Sequence, residues 1–204
     1  MKIAITGTTS GLGQELVRQI SAAYPYEIIE ISRSVLDLSN LESVKNYCLP
    51  TVDMLINCAG TGHGGKINYV DHETEWVTEI MTTNLLSPML LSQKALRHNG
   101  NCKIVNVTST NNKQYYANDL SYSLSKHALS LFGSMLQVDC PQIRYLEIRL
   151  GLTKTCFNQN RYSGQEYRFE DIYQQHRHLR PKLAVHQILK VLFDDSIKFI
   201  EIAP

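Results

Sequence analysis

"TGTTSGLG", residues 6–13, follows the β-branched run "KIAIT" (2–6) and opens "GLGQELVRQISAAY" (11–24), whose apolar residues recur at helical spacing. A strand that turns through glycines into a helix aims backbone N–H groups and the positive end of the helix at an anion. Gly7 permits a tight turn, Gly11 a close approach of backbone to a phosphate, and Gly13 close packing of the helix. Thr9, Ser10 and Leu12 complete the loop. The spacing is G-x-x-x-G-x-G rather than G-x-G-x-x-G.

Outward from this turn, short β-branched runs alternate with amphipathic stretches. Strands are predicted over 27–32, 52–60, 102–109, 143–151 and 198–203. Helices are predicted over 40–49, 72–98, 120–138 and 183–194, with Pro88 kinking or shifting the second and Pro181 just ahead of the last. This alternation predicts an α/β fold of Rossmann type: a doubly wound, mostly parallel sheet flanked by helices, with right-handed crossovers. Ligands in such sheets bind beyond the carboxyl ends of the strands. All 204 residues read as a single domain. The irregular stretch is 156–182, polar and rich in tyrosine.

Composition narrows the functional classes. Twenty Lys+Arg against nineteen Asp+Glu give a net charge of +1, so a polyanion such as nucleic acid is not expected as partner. No apolar run approaches the ~20 residues of a membrane span, and the N-terminus lacks a signal peptide's apolar core, so a cytoplasmic location is expected. Five cysteines at wide spacing predict reduced, mostly buried thiols. Seven histidines in no ligand pattern predict no metal.

"LSYSLSKHAL" (120–129) sets Tyr122 four positions before Lys126, which is one helical turn. A free phenol has a pKa of ~10. An ammonium one turn away favours the phenolate and would pull that value toward neutrality, making Tyr122 a candidate general acid or base.

Together, Thr6-Gly7…Gly11-Leu12-Gly13, "INCAG" (56–60) and Tyr122-x-x-x-Lys126 resemble the short-chain dehydrogenase/reductase family, in the family's order and over almost the whole chain. Asn57-Cys58-Ala59-Gly60 resembles its N-N-A-G turn, with Cys58 in place of the second Asn. Ser109 stands thirteen residues before Tyr122, as the family's catalytic serine does, and Asn84 matches the asparagine of its Asn-Ser-Tyr-Lys tetrad. The resemblance implies hydride exchange with a nicotinamide cofactor. Tyr122 would be the acid or base, and Lys126 would bind the nicotinamide ribose. Ser109 would steady the reacting oxygen, and Asn84 would hold a water linking Lys126 to solvent. It also implies cofactor contacts from Asn57, Ala59 and Gly60. "RLGLTKT" (149–155) resembles the family's P-G-x-x-x-T with Leu150 replacing Pro, adding Gly151, Leu152, Thr153 and Thr155 as cofactor contacts.

The end of the second strand discriminates between cofactors. An acidic residue there would favour NAD, but Ser32-Arg33 stands in its place. A guanidinium matches a 2′-phosphate, so NADP(H) is expected to be preferred, with NAD(H) possible. Asp37 and Leu38 resemble the family's adenine-side pair. The chain is shorter than most family members. Between Arg33 and Asp37 there is no room for the usual helix, so a shortened crossover is expected, with 35–39 as a short edge strand or none.

Residues 156–182 are expected to form a substrate lid. Arg161, Arg168, Arg177, Arg180, His176 and His178 lie among Tyr162, Tyr167 and Tyr173, with Gly164 a hinge candidate. Such a lid suits a small polar or anionic carbonyl compound; a solvated surface loop is the other reading of the same residues. The resemblance also implies a homodimer or homotetramer, with Trp76, Ile80, Met81 and Phe132 supplying apolar contact. The expected function is therefore an NADP(H)-dependent oxidoreductase interconverting a carbonyl and a secondary alcohol. The alternatives are a cofactor-binding sensor or scaffold without chemistry, and a nucleotide-sugar epimerase or dehydratase. Tyr122 and Lys126 weigh against the first, and the lack of a C-terminal substrate domain against the second.

Overall fold

Six parallel strands form one sheet in the order β2-β1-β3-β4-β5-β6. The computed structural model describes residues 1–9, 11–65, 67–112, 117–162 and 170–204. Ser10, Gly164, Tyr167 and Arg168 lie outside the described residues. The strands are β1 (Lys2–Thr6), β2 (Glu27–Ile31), β3 (Met54–Asn57), β4 (Lys103–Ser109), β5 (Arg144–Leu150) and β6 (Phe199–Ile202). The strand order reverses where β1 lies between β2 and β3, which opens a crevice at the carboxyl ends.

Alternate residues of the buried strands feed two cores. Ile3, Ile5, Ile56 and Ile148 pack against α1 (Gly11–Ala23) and α8 (Pro181–Leu192) through Leu16, Ile20, Val185 and Ile188. On the other face, Ala4, Leu55 and Ile104 meet Val44 of α2 (Leu41–Asn46) and Leu91 and Ala95 of α4 (Ser87–His98). Among the described residues no helix lies between Arg33 and Asp37, as expected, and no strand forms over 35–39, so β2 is the edge and residues 32–40 lead through turns to α2.

The long pattern over 72–98 resolves into three pieces: α3 (Thr74–Met81), a π-helical turn (Thr82–Leu86) and α4. Pro88 explains the break. It has no N–H for the Asn84 carbonyl four residues back, and at Ser87 the N–H reaches Thr82, five back. Residues 156–182 are not wholly irregular: they include α6 (Phe157–Arg161) and α7 (Glu170–Gln175).

The cysteines are all free, but only Cys102 is fully buried; Cys48 and Cys156 are exposed, contrary to the expectation of mostly buried thiols. Both exposed residues lie where apolar packing ends, just past α2 and just before α6. Among the described residues there is no cluster able to hold a metal ion, and no helix is long and apolar enough to cross a membrane.

The helix α5 (Leu120–Asp139) is fixed to the sheet by a buried carboxylate. Glu147 of β5 accepts hydrogen bonds from Thr108 of β4 at 2.7 Å and from Ser130 of α5 at 2.9 Å. One turn on, Gly133 admits the Tyr145 hydroxyl; a Cβ there would lie 1.8 Å from that oxygen. Gly133→Ala is therefore expected to destabilise the protein by about 1–3 kcal/mol, read as a lower denaturant midpoint with an unchanged m-value. An unchanged midpoint would contradict this packing.

Candidate active site

The glycine turn is built for close approach. Gly7 has φ 75°, and a Cβ there would lie 2.8 Å from the Ala59 backbone; a Cβ at Gly13 would meet the Gly7 carbonyl oxygen at 2.1 Å. Gly11 has φ 58° and lies under Thr155. The Thr6 hydroxyl accepts from the N–H groups of Cys58 and Ala59, both at 3.0 Å, which ties the 57–60 turn to the tip of β1.

From this turn a cavity of about 830 Å³ runs along the carboxyl ends of the strands. Among the residues expected at the cofactor, it is lined by Gly7, Thr9, Gly11, Leu12, Gly13, Arg33, Asp37, Leu38, Ala59 and Gly60. Gly151, Leu152, Thr153, Thr155 and the catalytic candidates Ser109, Tyr122 and Lys126 line it as well. Asn57 is not brought there: its amide is buried and donates to Asn106 at 2.9 Å and Ser92 at 3.2 Å, joining β3 to β4 and α4. The 151–155 strip is held by Leu179, whose N–H donates to Leu152 at 2.8 Å and whose carbonyl accepts from Lys154 at 2.9 Å.

Lys126 is buried, and its ammonium donates to the Val107 carbonyl at 3.0 Å. Gly60 leaves room for it; a Cβ there would lie 3.3 Å from Nζ. Burial pulls this lysine down to about 8, opposed by the nearby Cys58 sulfur. Asn84, on the π-helical turn, is also buried. Its carbonyl oxygen accepts from Thr61 N–H at 2.8 Å, and its amide nitrogen donates to the Thr61 carbonyl at 2.9 Å and to Ser125 at 3.0 Å. Its geometry thus clamps the turn after β3 to α5.

Tyr122 is half-buried, with its ring 5.3 Å from Phe157 and the Arg161 guanidinium 5.4 Å from its centroid. Burial pushes its phenol up to about 12, and the Asp119 carboxylate adds to this. A hydrogen bond with Ser109 and the charge of Arg161 pull the other way. Lys126, expected to lower the phenol, is not among the groups that do so; its ammonium is directed at Val107 instead. Arg161 and Asp119 form a nearly buried ion pair beside the ring, and Asn111 also donates to Asp119. Burial raises the Asp119 carboxyl, while Arg161 and the donors lower it. Next to this pair, Asn118 takes φ 64°, a left-handed conformation that asparagine tolerates.

Asp119 was not legible as a site residue, since no motif marks the third position before a tyrosine. Of the lid candidates, Arg161, Tyr162, His176 and Arg177 line the cavity. Tyr173 does not: it is buried, its hydroxyl accepting from Thr155 N–H at 3.3 Å and Asn158 at 3.1 Å. His178 packs on its ring and Arg180 precedes α8, both away from the cavity.

A glycine cradle at a sheet's switch point, leading to a serine, tyrosine and lysine, defines a dinucleotide-binding α/β oxidoreductase architecture. Residues 41–166 match the family described as short chain dehydrogenase, and the chain belongs to that family. It is 25% identical to an NADP-dependent 3-hydroxy acid dehydrogenase of Schizosaccharomyces pombe, covering 93% of this chain and 86% of the relative. Other curated relatives are longer, the chain spanning 57% of one and 64% of another. Among solved structures, a serine dehydrogenase complexed with NADP+ superposes with a TM-score of 0.85 at 21% identity, over 99% of this chain and 94% of the other. A 4-hydroxyisoleucine dehydrogenase complexed with NADH gives 0.84 at 20% identity, over 99% and 96%.

The buried lysine carries a stability consequence. Its value falls from 10.5 to about 8, so the folded state binds the proton less tightly than the unfolded chain. The resulting penalty, on the order of 3 kcal/mol, is complete below pH 8 and fades as pH rises toward 10.5. Lys126→Met is expected to be more stable than the wild type at pH 7, by an amount that shrinks between pH 8 and 10. Chemical denaturation across that range checks it, and a variant less stable at pH 7 would contradict it.

Proposed function

We propose that the protein is an NADP(H)-dependent oxidoreductase, working in the cytoplasm, that interconverts a carbonyl and a secondary alcohol on a small, polar and anionic substrate. The observation that carries this is the placement of Tyr122 and Lys126 one turn apart on α5, with Ser109 bonded to the phenol, in the same cavity as the glycine cradle. The cradle fits a dinucleotide: Gly7 and Gly11 have positive φ, and with Gly13 they line the cavity at the N-terminus of α1. Arg33, largely exposed at the end of β2, suits a 2′-phosphate, and NAD(H) is the expected weaker alternative.

When bound, the nicotinamide supplies or accepts the hydride. Tyr122 gives its proton to the oxygen of a reduced carbonyl, or takes it from an alcohol, while Ser109 donates to the same oxygen. Lys126, buried in the cavity wall beside Gly60, would hold the nicotinamide ribose hydroxyls. Asn84 holds the turn beside Lys126 in register. Residues 156–182 act as the substrate lid of a single 204-residue domain. Arg161, His176 and Arg177 face the cavity from that segment and favour an anionic group on the substrate. A 3-hydroxy acid, the substrate named for the fission-yeast relative, has that chemistry.

The same reading includes a homodimer or homotetramer. Leu124, Leu131, Met135 and Val138 form an exposed apolar stripe along α5. Ile80, a sequence candidate for that contact, is buried in the protomer, and Trp76 packs on His63. Leu131→Glu with Met135→Glu is expected to reduce the particle to a monomer in sedimentation velocity; an unchanged mass would contradict the α5 contact.

Tyr122→Phe is expected to lower turnover of 3-hydroxy acids with NADP+ by at least about a thousandfold while NADPH still binds. Retained turnover would contradict the role of Tyr122. Wild-type turnover of neutral alcohols in preference to hydroxy acids would contradict the anionic substrate.

A further inference from the structure

Glu79 lines the same cavity, with no part in the chemistry above. One of its carboxylate oxygens lies 3.8 Å from Arg33 Nη2, and the other 3.0 Å from His63 Nε2. Arg33 Nε lies 3.7 Å from Asp37 Oδ1. Asp37 is committed locally, since that oxygen accepts from the Ser39 N–H at 3.0 Å and hydroxyl at 2.7 Å. His63 is held in place by Trp76, whose ring stacks at 5.7 Å and 19°. Trp76 and Glu79 are three residues apart on α3 and present one face to the imidazole. A carboxylate thus stands beside the guanidinium expected to meet a 2′-phosphate, with a histidine behind it.

We infer that Glu79 sets the discrimination between NADPH and NADH: its carboxylate opposes a 2′-phosphate on Arg33. The inference rests on the reading of Arg33 as the phosphate's partner. Glu79 acts in two ways of the same sign. It partly neutralises Arg33, and it repels a second anion arriving within a few ångströms. NADH escapes both effects, because its ribose hydroxyls can donate to a carboxylate. The charged and titratable groups within ion-pair reach are Arg33, Asp37, Glu79 and His63 among the described residues.

The test is calorimetric affinity for NADPH and for NADH at pH 8, with the full chain and no substrate. Glu79→Gln is expected to tighten NADPH roughly fivefold, equivalent to about 1 kcal/mol, with NADH within about twofold. If Glu79→Gln does not shift NADPH relative to NADH, while Arg33→Ala still weakens NADPH, the role of Glu79 is overturned and that of Arg33 stands. If Arg33→Ala leaves NADPH affinity unchanged, the cofactor reading and this inference both fall.

Discussion

The site depends on one buried cation. Lys126 reaches from α5 through a gap left by Gly60 and is bonded by the Val107 carbonyl of β4. An ammonium out of water is tolerated only where a partner meets it, and here one backbone carbonyl does so at a cost in stability. Much of the surrounding architecture serves this placement. The π-helical turn aims Asn84 at Thr61 and Ser125, Thr6 ties down the turn after β3, and Glu147 staples α5 to the sheet.

The phenol is tuned by a different set of groups. In this geometry burial and Asp119 disfavour its anion, while Ser109 and Arg161 favour it. The Arg161–Asp119 pair joins the segment after β5 to the start of α5, so the placement of that segment and the proton affinity of Tyr122 are physically connected.

Much of this was legible in the chain. The glycine turn, the strand–helix alternation and the lack of room for a helix between Arg33 and Asp37 follow from local pattern, because turn geometry and hydrophobic period act over a few residues. Tyr122 and Lys126 were legible because a helix fixes their relative position. What sequence does not reveal is where a side chain points once the chain returns from far away. Asn57 faces the neighbouring strand rather than the cavity, and Ile80 faces the core rather than a partner. Asp119 and Glu79 acquire meaning only through Arg161 and Arg33, each more than 25 residues distant in sequence from the group it meets. The expectation that Lys126 lowers the Tyr122 phenol failed for the same reason: a shared helical face places two residues near each other but does not say what else the ammonium finds.

The most direct measurement is proton uptake on NADPH binding at pH 8, by calorimetry in buffers of different ionisation heat. Lys126 lies at about 8, so it is close to half protonated there. A dinucleotide whose ribose hydroxyls and phosphates reach it would stabilise its charge, and net uptake approaching about half a proton per site is expected, lost in Lys126→Met. Tight NADPH binding with no proton uptake, or with the same uptake in Lys126→Met, would contradict a buried lysine shared by the cofactor cradle and the catalytic tyrosine.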